Sequence, residues 1–180
     1  FALGFKTRGT WWKVENLDYE SGLFDSELEN NLKEIRLFLE NTGLKAWHPP
    51  KKNGFFRHLV VRKSFDQDQL LINLVTSSQE LKDFNSSEFS AFMQQLLGNR
   101  LAGLQHTIND DVSDRAKIEK GNNQLLFGAP VILEKLLDLQ FEISMESFFQ
   151  TNPKSAEQLY KKAVSYATEK SDLSHQFLMD

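Results

Sequence analysis

The chain has 180 residues, 40% of them hydrophobic and 15 of them phenylalanine. That is enough apolar side chain for one good-sized core, and it excludes a disordered chain. A net charge of −4 with no cysteine excludes disulfides and thiolate chemistry within these residues, and leaves any nucleic-acid contact to local basic patches or to another part of the protein.

In chain order, Phe1 to Arg8 and Thr10 to Glu15 predict two short strands around Gly9, rich in aromatic and β-favouring residues. Phe1 already lies inside a strand-like pattern, so the natural start is expected upstream of it. Ser26-Glu27-Leu28-Glu29 has the form of a capping box. Leu28, Leu32, Ile35 and Leu39 then recur at helical spacing until Gly43. Pro49 to Gly54 is a loop by its turn chemistry. Phe56 to Phe65 and Gln69 to Thr76 predict a hairpin around Asp66-Gln67-Asp68.

Asn85, with Glu88 three residues on, starts a second helix whose apolar stripe is Phe89, Phe92, Met93, Leu96 and Leu97, ended by Gly98. Arg100 to Ile108 predicts a strand, Asn109 to Asn123 a surface loop, and Gln124 to Phe127 another extended stretch. Leu139, Phe141, Ile143 and Met145 alternate with polar residues as a strand does. The chain then passes through Phe148, Phe149 and Gln150 into a helix capped by Asn152, with Pro153 at its first position. Ala156, Leu159, Tyr160, Ala163, Val164 and Ala167 share one side of that helix. The order of elements predicts an α+β fold, an antiparallel sheet with helices packed on one face, followed by a C-terminal helix.

The segment Phe148-Phe149-Gln150-Thr151-Asn152 resembles the F-x-Q-x-N motif of the RNA uracil-5-methyltransferases. The resemblance extends along most of the chain. Leu3-Gly4-Phe5-Lys6 looks like the start of that family's central domain, Phe56 to Arg62 is similar to its R-H-L-V-x-R strand, and Leu126-Phe127-Gly128 with Leu133-Glu134 to its L-x-G…E segment. The resemblance implies that residues 1–147 are a central α+β domain and 148–180 the beginning of an S-adenosylmethionine (SAM) domain. Gln176 to Asp180 would then be the first strand of that domain. The remaining parts of such a protein would be an N-terminal OB-type domain and the rest of the methyltransferase domain.

In the family a cysteine thiolate adds to C6 of uracil, C5 takes the methyl group of SAM, and a base removes the C5 proton. Covalent catalysis of this kind divides one difficult step into easier ones. The uridine has to be flipped out of its stack to be reached. No residue here matches the nucleophile or the base, so no catalytic residue is assigned and the chain alone is expected to be inactive. Gln150 corresponds to the glutamine that contacts SAM, and its amide offers both a donor and an acceptor. Phe148 could stack on the flipped base, against an ordinary role in the core. Asn152 is explained by capping, while the helix it starts could also face an anionic group of cofactor or RNA.

Arg57 and Arg62, with His58, Lys63, Lys51 and Lys52, form the densest basic neighbourhood, and Lys6, Arg8 and Lys13 sit separately on the opening strands. These could position RNA through its phosphates, or simply keep a strand edge soluble. Many family members hold an iron–sulfur cluster, one of its cysteines near the position of Tyr19. With no cysteine here, no cluster is expected in this chain. The scattered His48, His58, His106 and His175 have no metal-ligand spacing, and Asp110, Asp111 and Asp114 lack a calcium-loop pattern. With no membrane-length apolar run and no signal peptide, a cytoplasmic protein acting on tRNA or rRNA is expected. The alternative is a non-enzymatic α+β module that binds a protein partner through its C-terminal helix.

Overall fold

The computed structural model describes residues 1–111 and 122–168. The opening strands form a short antiparallel hairpin, β1 (Gly4–Lys6) with β2 (Val14–Asn16). Helix α1 (Ser26–Asn41) follows, with its cap one residue earlier than the capping box predicted. Asp25, not Ser26, is the N-cap, and its Oδ1 accepts the Leu28 N–H at 2.9 Å. Glu29, expected to reach back towards the cap, is buried and accepts from the N–H and hydroxyl of Ser21 at 2.7 and 2.6 Å. Asp25 takes the position because its charge is matched there. Lys63 Nζ and Arg100 Nη2 lie 2.6 and 2.7 Å from its Oδ2. Burial alone would raise the pKa of this carboxyl. The hydrogen bonds from Arg100, Lys63 and the Leu28 N–H outweigh that and hold it well below the usual carboxylate range.

The predicted hairpin is present as β3 (Phe56–Ser64) and β4 (Gln69–Thr76), antiparallel and in register from His58–Val75 to Ser64–Gln69. Helix α2 (Ser86–Leu97) is capped by Asn85, whose Oδ1 accepts the Glu88 N–H at 3.1 Å, and it ends at Gly98. It returns the chain to β5 (Leu101–Ile108), which lies parallel to β4. A parallel neighbour needs such a crossover, because a tight turn joins only antiparallel strands. β6 (Asn123–Gly128) pairs antiparallel to β5, so the sheet order is β3-β4-β5-β6. Its outer pairs are antiparallel, as predicted, and its central pair is parallel.

Both helices cover one face of this sheet. Leu70, Ile72, Leu74 and Leu104 pack there against Ile35 and Leu39 of α1 and Phe89, Met93 and Leu97 of α2. Burying a side chain the size of Phe89 contributes roughly 1.5–3 kcal/mol, and Phe89 is fully buried. His106 sits on the same side, its Nε2 2.9 Å from the Thr76 hydroxyl and its ring against Phe55 and Phe84. Burial lowers its pKa to about 4, so it is neutral at physiological pH.

The opposite face is covered by a second antiparallel hairpin, β7 (Val131–Leu136) with β8 (Leu139–Ser144). Ile132, Ile143 and Met145 pack on Leu71 of the sheet. β8 was legible in the sequence and β7 was not. The buried positions of β7 are Ile132, Glu134 and Leu136, and the central carboxylate breaks the apolar alternation. Glu134 accepts the N–H groups of Phe65 and Asp66, at 2.6 and 3.1 Å, at the β3–β4 turn.

Helix α3 (Pro153–Thr168) closes the described chain. Asn152 caps it, accepting the Ser155 N–H at 3.0 Å. Its first turn is held on β7 through buried Ala156 and through Glu157, whose Oε1 accepts the Leu137 N–H at 2.9 Å. The rest of the predicted apolar side is uncovered, with Leu159 60% and Val164 56% exposed. The strand expected at Gln176 to Asp180, and the loop expected at 109–123 over its positions 112–121, lie outside the described residues.

Candidate functional site

The connection from β8 to α3 forms one wall of a cleft of about 970 Å³. Its floor is the edge strand β3 and the hairpin, through Val60, Ile132 and Ile143. Four of the five predicted site residues meet here: Phe148, Gln150, Asn152 and Arg62. Leu23 and Phe24, from the segment before α1, line the same cleft. Nothing in the local sequence marks those two.

Phe148 and Phe149 divide their labour. Phe149 packs into the hairpin core, its ring 5.8 Å from that of Phe141. Phe148 turns outward and is 85% exposed at the cleft. A large ring left in water at the rim of a concavity is available to stack on a planar ligand. Gln150 is half-buried, and among the described residues no hydrogen bond engages its amide. Its backbone is set by the neighbours on either side. Ser147 ends the hairpin, with its hydroxyl accepting the Ser144 N–H at 3.1 Å, and Asn152 begins α3. Asn152 therefore has the capping role foreseen for it, and the α3 amide end opens beside Gln150.

Arg62 is built into the fold. Its Nε and Nη2 both donate to the Met145 carbonyl, at 3.1 and 2.9 Å, fastening β3 to the end of β8. Burial lowers its pKa from the ordinary value. It thus shapes the wall from which the connection to α3 departs. Lys63, beside it, is committed to Asp25 and to Asp68.

Arg57 lies elsewhere. Its Nη1 donates to the Asn109 carbonyl at 2.6 Å, and its guanidinium sits 4.5 Å from the centre of the Trp47 ring. It lines a second cleft, of about 580 Å³, with Phe1, Trp12, Lys13, Lys45 and His48. Among the described residues, no cluster of three or more His, Asp or Glu could hold a metal ion, and no helix is long and apolar enough to cross a membrane.

No protein-family model matches the chain. Its sequence is 37% identical over 160 residues to an uncharacterized RNA methyltransferase of Clostridium tetani, covering 88% of this chain and 34% of that protein. It is 30% identical over 161 residues to the tRNA (uracil(54)-C(5))-methyltransferase of Pyrococcus horikoshii, covering 89% of this chain and 36% of that one. The chain is related to the RNA uracil-5-methyltransferases. It spans about a third of the length of these relatives. The fold agrees with that kinship. The crystal structure of the Pyrococcus abyssi tRNA (uracil-54, C5)-methyltransferase, in complex with S-adenosyl-L-homocysteine, superposes with a TM-score of 0.67 at 23% identity. That match covers 92% of this chain and 38% of the Pyrococcus chain. The relationship thus joins one α+β segment of the uracil-5-methyltransferases to this chain.

Proposed function

We propose that these residues are part of a SAM-dependent RNA (uracil-5-)-methyltransferase that forms 5-methyluridine in tRNA or rRNA. In this reading residues 1–147 are its central domain and 148–180 the start of its SAM-binding domain, in a cytoplasmic protein. The rest of the same protein covers the open side of α3 and supplies the nucleophile and the base. The chain alone transfers no methyl group.

The observation that carries the reading is the unengaged amide of Gln150 in the cleft, beside the uncovered ring of Phe148. With no partner among the described residues and facing the open cleft, this amide is available to a ligand. The groups around it fit SAM, which supplies an electrophilic methyl group when bound. The Gln150 amide can donate and accept at the zwitterionic end of the cofactor, and the amide end of α3 favours a carboxylate. Phe148 presents a flat apolar face to a base. Asn152 holds the α3 amides towards the RNA, and Arg62 fixes the wall they stand on. Arg57 holds the second cleft in shape and adds positive charge for RNA phosphates.

The test is made in the protein translated through and beyond Asp180. Gln150→Ala is expected to weaken binding of S-adenosylhomocysteine about tenfold or more, by loss of hydrogen bonds to a charged group worth about 1.5–3 kcal/mol. Unchanged affinity would remove Gln150 from the cofactor site. The 180-residue chain, given SAM labelled in its methyl group and unmodified tRNA, is expected to leave the RNA unlabelled. Labelled 5-methyluridine from that chain alone would overturn its inactivity.

A further inference from the structure

The charge of the molecule is unevenly placed. Two segments, Phe1 to Val14 and Gly43 to Arg57, contain seven of the 21 lysines and arginines and none of the 25 carboxylates. They carry +7, while the remaining residues, with 14 cations against 25 carboxylates, carry −11. The same two segments hold all three tryptophans of the chain, Trp11, Trp12 and Trp47.

The fold brings the segments together. Trp12, on the β1–β2 hairpin, lies with its ring 5.2 Å from that of His48, and both line the second cleft. Trp11 is 61% and Trp12 40% exposed. The 45–56 loop beneath them is pinned to the start of β3. The Trp47 N–H donates to the Phe56 carbonyl at 2.7 Å, and the Phe55 N–H to the Lys45 carbonyl at 2.7 Å. Gly54 permits this approach, since at its φ of 112° a Cβ would collide with the Ala46 carbonyl. Lys13, Lys45, Lys51 and Lys52 are exposed around this platform, and their ammonium groups make no ion pair among the described residues. The groove itself contains a single carboxylate, Glu40.

Exposed aromatic rings on a rigid base, ringed by lysines, have the composition of a single-strand nucleic-acid surface, where bases stack and cations follow the backbone. We infer that this surface binds single-stranded RNA, with bases stacked on Trp12 and His48 and phosphates held by Lys13, Lys45, Lys51 and Lys52. The choice of RNA over other polyanions rests on the methyltransferase reading. The second cleft and the Phe148 cleft sit at opposite ends of β3. Arg57 and Arg62 are five strand residues apart, about 16 Å along the strand, or about five nucleotides at the rise of a stacked strand. The surface thus gives substrate RNA a grip away from the reacting base.

Because every tryptophan belongs to this surface, intrinsic fluorescence reads it directly. Titrating the 180-residue chain with a short single-stranded RNA of mixed sequence is expected to give saturable, salt-sensitive quenching. Trp12→Ala is expected to weaken binding about tenfold, and Trp12→Phe to restore most of it. The double variant Lys51→Ala, Lys52→Ala is expected to reduce the slope of log affinity against log salt by about 1.4, about 0.7 for each phosphate no longer neutralised. Three results would overturn the proposal: no saturable quenching at low salt, equal binding of polyglutamate, or affinity and salt slope unchanged in both variants. Gln150→Ala separates the two readings, being expected to leave the quenching untouched. If that variant keeps its cofactor affinity, the Phe148 cleft assignment falls and the RNA surface stands.

Discussion

The sheet with its two helices, and the exit through β8 into α3, start from the same material: amphipathic elements with one apolar side. In the first region each such side is covered. Ile35 and Leu39 of α1, and Phe89 and Met93 of α2, are sealed against β4 and β5. In the second, among the described residues, α3 is fastened at its N-terminal end, and Leu159, Val164 and the Phe148 ring are exposed. Folding free energy is therefore concentrated in the first region, while the second presents apolar area of the sort that marks a binding surface. A capped, regular helix is not evidence that its packing is complete.

The contrast can be broken by substitution. Phe89→Ala removes a fully buried ring between the two helices and the sheet, and is expected to lower unfolding free energy by about 4 kcal/mol in urea denaturation. A loss under about 1 kcal/mol would mean that the helix face of the sheet is not the main core.

Acidification tests the same region through His106. An unfolded His106 takes up a proton as pH falls through its ordinary value of 6.5, whereas the folded one resists protonation down to about 4. Protons therefore favour the unfolded state across that window. Stability has its full value above pH 6.5 and declines as pH falls towards 4, by about 3 kcal/mol from this residue. Denaturation curves at neutral and mildly acid pH, with and without His106→Gln, measure it, and an equal decline in the variant would exclude His106 as the source.

The smallest effect belongs to the exit helix. Leu159→Ala is expected to change stability by less than about 0.5 kcal/mol, as for other exposed positions. A loss above about 1.5 kcal/mol would show that the α3 side chains are covered in solution.

The elements legible in the sequence were those with a local signal. β3 and β4 followed from two strand-like runs around a polar turn, β8 from alternation, and α1 and α2 from helical stripes and caps. Asp25 was hidden because Ser26 fits the local capping pattern equally well, and the choice between them is made by Lys63 and Arg100, 38 and 75 residues away. β7 was hidden by the buried carboxylate of Glu134. The parallel β4–β5 pairing is a property of the assembled sheet, which no local period encodes. At the candidate site, the Phe148 to Asn152 segment was visible as a motif. That Arg62 spends its donors on Met145, and that Arg57 lies at a different cleft, depends on partners 83 and 52 residues apart in the chain. The tryptophans were plain in the sequence, but their company with His48 and the lysines appears only once the hairpin and the 45–56 loop are side by side.

Asp25 has one more consequence, for how the molecule opens. Its carboxylate is shared by the start of α1, by Lys63 at the end of β3, and by Arg100 at the entrance to β5, which also reaches Asp68 at 2.9 Å. Pulling any one of these segments away removes one partner of a buried carboxylate and leaves its compensation to the other two. Fraying of the first helix is thereby tied to the middle of the chain. The N-terminal end of α1, the β3–β4 turn and the start of β5 are expected to open together, which amide hydrogen exchange of the three segments would measure.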